Sequence, residues 1–131
     1  MAAAPSEEDA GRTLATISHL GAFVGGFITP LVIYLMEKDK NRFVRHHAAE
    51  ALNFQITLML VWLAGFALLF VAMFTAGSSD SPDAAPGLAF FLLFPAMFAM
   101  MIVNYVLSII AMVKANQKQW FRYRIAIPFV H

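Results

Sequence analysis

Apolar residues run through this chain in three long blocks from which charge is absent. Thr13–Met36, Ala51–Ser79 and Ala84–Val113 contain no Asp, Glu, Lys or Arg. Each block holds an apolar core of about 20 residues, the length of helix that crosses a hydrocarbon layer about 30 Å thick. The pattern predicts an all-α, polytopic integral membrane protein with three spans, at roughly Leu14–Met36, Phe54–Thr75 and Leu88–Val113. Polar segments separate them. Glu37–Asn41 reads as a tight turn ending in Asn41, a helix N-cap. In Arg42–Asn53, Phe43, His47 and Ala51 recur at helical spacing on one side, and Arg42, Arg45, His46 and Glu50 fall largely on the other. That pattern predicts an interfacial helix running into the second span. Gly77–Gly87 has the Gly, Ser, Asp and Pro content of a loop.

Three regions follow: a disordered acidic N-terminal tail (1–12), a membrane domain (13–113) and a cytoplasmic juxtamembrane tail (114–131). In the last, Phe121, Tyr123, Ile125 and Ile127 alternate with Arg122, Arg124 and Ala126, a period of two that suits an extended basic-aromatic segment on a membrane surface. Trp120, Phe121 and Tyr123 would then sit at headgroup level while Arg122 and Arg124 meet anionic lipid.

Composition agrees with a membrane setting. Of 131 residues, 60% are hydrophobic and 13% charged, against about 25% charged in soluble domains. The basic residues flank apolar blocks instead of forming a face, so nucleic acid is not an expected partner. The absence of cysteine removes disulfides, thiolate metal sites and catalytic thiols. Counted through the segments between spans, Lys and Arg number one, four, none and four. Basic loops stay in the cytoplasm. With three spans this predicts a multi-pass protein of the bacterial inner membrane, N-terminus outside and C-terminus inside, with Arg42 and Arg45 among the residues facing lipid or a partner.

Polar side chains in apolar segments are the natural functional candidates. Thr29, Asn53, Gln55, Thr57, Asn104 and Ser108 would form an intramembrane cluster. It serves either interhelical hydrogen bonding or a hydrated path in an oligomer. Gly21, Gly25 and the adjoining Gly26 form a small-residue stripe on which helices pack closely. His46, His47 and Glu50 have helical metal-ligand spacing but too few ligands for a site, so no metal or other cofactor is expected. No serine sits in a nucleophile elbow and no carboxylate lies in a span, so the chain is not expected to be an enzyme.

The segment Lys38–Gln55 (KDKNRFVRHHAAEALNFQ), with Ile17–Ala22 before it and Val113–Asn116 and Trp120–Tyr123 after it, resembles a family of small bacterial membrane proteins of unknown function. That family is similar to the Tic-twenty subunit of the chloroplast inner-envelope protein-import translocon. The resemblance implies a subunit of a protein-conducting assembly, with His19, His47, Glu50, Asn53 and Gln55 as signature positions. The expected function is a non-enzymatic accessory or scaffold subunit binding lipids and other membrane proteins or itself. An oligomeric channel or transporter subunit is the alternative, and a metal or proton site at His46, His47 and Glu50 comes third.

Overall fold

The computed structural model describes residues 3–77 and 85–131. Their helices are α1 (Glu7–Ser18), a 3-10 turn (His19–Ala22), α2 (Ile28–Glu37), α3 (Arg42–Gly77) and α4 (Ala85–Asn116). Among the described residues there is no strand, so the chain is all-α. Residues 78–84 of the expected loop lie outside them.

Among the described residues two helices, not three, are long and apolar enough to cross a membrane: α3 and α4. The expected first span is broken. Gly25 and Gly26 adopt φ of 80° and 56°, a left-handed conformation that ends a helix. Pro30, whose ring would clash with the carbonyl four residues back in a continuous helix, falls instead in the first turn of α2, where its missing N–H is not needed. The resulting α2 has 10 residues, about 15 Å of helix, half a bilayer core. The glycines expected as a helix-packing stripe therefore build a turn: a Cβ on Gly21 would collide with the Gly26 carbonyl oxygen.

The acidic N-terminus, expected to be disordered, is helical from Glu7. Ser6 caps α1 by accepting the Asp9 N–H at 3.1 Å, while its hydroxyl donates to the Asp9 carboxylate at 2.9 Å, a reciprocal cap. Asn41 caps α3 as expected, accepting the Val44 N–H at 3.0 Å, and its amide donates to the Glu7 carbonyl at 2.9 Å. The interfacial helix and second span are one continuous α3.

The chain divides into two compact units, one comprising residues 1–57 and 104–131, the other 58–103. In the first, Gly11 of α1 sits so close to Val44 and Asn41 that a side chain there would collide with them. Ala15, Phe43 and Ala115 form one buried cluster; Ile33, Val44 and Ala48 form another, flanked by Leu14, Ile17 and Tyr34. The second unit exposes aromatic and aliphatic surface, Phe70 at 69% and Phe74 at 71%. In water such a surface would be costly.

Candidate functional site

The polar residues of the first unit do two connected jobs. The first is a buried chain of hydrogen bonds. His47 Nε2 lies 3.0 Å from the Gln119 carbonyl oxygen, His47 Nδ1 lies 2.9 Å from His19 Nε2, and His19 Nδ1 lies 2.9 Å from the Tyr123 hydroxyl. A carbonyl only accepts, so neutral His47 carries its proton on Nε2 and accepts at Nδ1. His19 then donates from Nε2 and accepts from the Tyr123 O–H at Nδ1. The donors therefore run in one direction, from Tyr123 through His19 and His47 to a backbone carbonyl. Beside this chain, Asn104 Oδ1 accepts from the Ser108 hydroxyl at 3.5 Å and from Gln55 Nε2 at 3.2 Å.

Burial sets the protonation of this chain. Removal from water, with His47 and His46 as neighbours, holds the His19 imidazole well below its ordinary range. Burial likewise pushes the Tyr123 phenol above its ordinary value; nearby Glu50 adds to this and the Ser108 hydrogen bond partly opposes it. Both side chains are neutral near pH 7.

The second job is to hold the C-terminal tail. The tail leaves α4 through Lys118 at φ 60°. There the Lys118 N–H bonds the Ala115 carbonyl and the Gln119 N–H bonds the Lys114 carbonyl, the double bond pattern of a left-handed helix cap. It then runs along α3 without forming a strand, and side chains of α3 take the place of a neighbouring backbone. His46 Nε2 donates to the Phe121 carbonyl at 2.6 Å, Glu50 accepts the Tyr123 N–H at 2.9 Å and Thr57 accepts the Ile127 N–H at 2.9 Å. Asn53 accepts from both Phe129 and Val130 N–H and donates to the Val130 carbonyl, at 3.0, 2.8 and 2.8 Å. These five residues, His46, His47, Glu50, Asn53 and Thr57, recur at three- and four-residue steps, one stripe of a helix. Tyr34 adds a bond to the His131 carbonyl at 2.8 Å.

Several sequence expectations change here. The tail packs on α3 at Tyr123, which is buried against the protein and stacks on Phe54 at 4.1 Å between ring centres. Trp120, Arg122 and Arg124 stay exposed. The six-membered polar cluster divides: Asn53 and Thr57 hold the tail, Gln55, Asn104 and Ser108 bond to one another, and Thr29 bonds locally to the Val24 carbonyl at 2.8 Å. His46, His47 and Glu50 point to three different partners. Among the described residues no group of three or more His, Cys, Asp or Glu side chains could hold a metal ion. Of the signature positions, His19, His47, Glu50 and Asn53 meet the tail or its Tyr123, and Gln55 meets α4. Sequence reading missed Tyr123 as their partner; its place in the alternating tail, apolar side inward, was the available signal.

Beside the stripe lies an open cleft of about 320 Å³, with Arg42, Arg45, His46 and Glu50 of α3 on one side and Trp120 and Arg122 of the tail on the other. Arg122 Nε approaches Glu50 Oε1 at 3.9 Å.

Together these features define a class: an all-helical chain with two helices of membrane-crossing length and a hydrogen-bonded unit made from its two ends. Residues 10–130 match the MamF/MmsF family, the magnetosome magnetite crystal formation protein family, and the chain belongs to it. No curated protein and no solved structure matches. The family assignment overturns the resemblance to Tic-twenty-like proteins: the residues that suggested it, Lys38–Gln55, lie inside the magnetosome-family match. Apolar segments around a His- and Glu-containing turn do not by themselves distinguish one membrane family from another.

Proposed function

We propose that this protein is a non-enzymatic membrane component of magnetite crystal formation. It acts as an accessory subunit that presents a folded unit to other membrane proteins. The observation that carries this reading is the use of the polar side chains. No buried side-chain nitrogen or oxygen among the described residues lacks a hydrogen-bond partner, so the groups that could do chemistry are engaged in holding the chain's ends together. Such a unit offers partners its shape and its surface charge.

With α3 and α4 as the two spans, both ends fall on one side of the membrane. All nine Lys and Arg residues then lie on that side, and the 78–84 connection on the other carries none. This arrangement satisfies the cytoplasmic preference of basic segments without exception and replaces the N-outside arrangement of three spans.

The test is deletion in a magnetite-forming host, complemented with the wild type or with Asn53→Leu, followed by electron microscopy of crystal size and number. Deletion is expected to alter the crystals, and Asn53→Leu, which frees the tail while keeping both apolar helices, is expected to fail to restore them. Unchanged crystals after deletion would sink the proposal.

A further inference from the structure

The cleft beside the tail has the chemistry of a ligand site. Arg42 and Arg45 stand on the first turn of α3 and Arg122 on the tail, so three arginines from two elements line one cavity. Little occupies them. Among the described residues Arg42 has no hydrogen-bond or ion-pair partner, Arg45 reaches the Lys38 carbonyl only at 3.5 Å, and Arg122 is 3.9 Å from Glu50. Glu50 is the one carboxylate side chain lining the cleft, and its other oxygen already accepts the Tyr123 N–H. The cleft is therefore net basic, with donors to spare.

We propose that this cleft binds a phosphate group carried on a larger molecule, a phosphate ester. One carboxylate is satisfied by a single guanidinium fork, whereas a tetrahedral phosphate presents oxygens in several directions and suits several arginines supplied by two elements. The volume of about 320 Å³ falls in the range of small-molecule sites and has room beyond the phosphate itself. The remaining wall, with Pro128, Val130 and Trp120, supplies apolar surface for the body of the ester. Such a group comes either from a lipid headgroup or from a soluble metabolite, and both present the same oxyanion. The site is independent of the accessory role proposed above.

The experiment uses the full-length protein in phosphatidylcholine nanodiscs, titrated calorimetrically with glycerol 3-phosphate and, separately, with dihexanoyl phosphatidic acid. Saturable one-site binding of at least one probe is expected. It should weaken about tenfold or more in Arg42→Gln/Arg122→Gln, because each fork lost removes charge-assisted bonds, and should stay unchanged in Arg124→Gln, an exposed arginine outside the cleft. The tighter probe names the source, soluble ester or headgroup. Arg42→Lys/Arg122→Lys keeps charge without the fork; it covers the case in which the glutamine pair does not fold, and several-fold weaker binding is expected from it. Absence of saturable binding by either probe would overturn the site, as would an equal loss in Arg124→Gln or full affinity in the variants of the pair.

Discussion

At the scale of single residues, the buried chain from Tyr123 to His47 is directional because its last acceptor is a carbonyl, and each member depends on the next. Tyr123→Phe removes the one donor to His19 Nδ1 and leaves a buried nitrogen unpaired. The expected loss is about 1–3 kcal/mol, read as a lower unfolding temperature in detergent; an unchanged value would refute the assigned directions. The pH dependence follows from His19. Its imidazole stays neutral in the folded chain, so below the ordinary value of 6.5 the unfolded chain binds more protons. Stability is therefore retained above about pH 6.5 and lost as pH falls, until folded His19 itself takes a proton. Unfolding temperatures between pH 8 and 5 should show that slope, and His19→Gln should flatten it. Asn53, Gln55, Thr57, Asn104 and Ser108 drew attention as polar groups in apolar segments, whereas His47 and Glu50 were singled out as signature positions only through a resemblance that the family match overturns. What they bind was not legible. The partners of His19 lie 28 and 104 positions away in sequence, and no local pattern reports a meeting at that distance.

At the scale of elements, composition alone misleads at Thr13–Met36. The stretch is apolar enough to cross a membrane, but Gly25-Gly26 and Pro30 carry more information than its mean hydropathy, since a left-handed pair followed by a proline ends one helix and opens another. The Ser6-Glu7-Glu8-Asp9 cap was equally readable and marks α1 as clearly as Asn41 marks α3. Lys118 occupies a backbone conformation that favours glycine. Lys118→Gly should stabilise the α4 terminus by about 1 kcal/mol. The same change removes the 2.7 Å pair between Lys118 and Asp9, so the comparison belongs in an Asp9→Asn background, by thermal unfolding. A gain absent there would show that the cap is not strained. The stripe on α3 makes a separate demand. Asn53→Leu removes three bonds to the tail at once, and trypsin should then cut at Arg122 and Arg124 several times faster than in the wild type. Equal cleavage rates would mean that the tail is held by packing alone.

At the scale of the whole molecule, the sorting of charge by segment was legible and the number of helices of membrane-crossing length was not. Four basic residues stand in each of two segments and none between α3 and α4; three spans would place them with the N-terminus outside, whereas two helices of crossing length fit the arrangement proposed above. The chain has no cysteine, so single substitutions report topology cleanly. Ala4→Cys and Arg124→Cys should react with an impermeant maleimide from the same side of sealed vesicles, and Ser81→Cys from the other; opposite labelling of the two ends would reject the two-span arrangement. The joining of the ends also has a consequence in time. His19 and His47 are synthesised before α4, yet the tyrosine and carbonyl they need come after it. During synthesis the first half of the chain is complete before α4 and the segment after it are made. Only then does the tail arrive to shut the interior. Closure of this unit therefore comes last in synthesis: until Gln119 and Tyr123 are made, His47 lacks its carbonyl acceptor and His19 its hydroxyl donor.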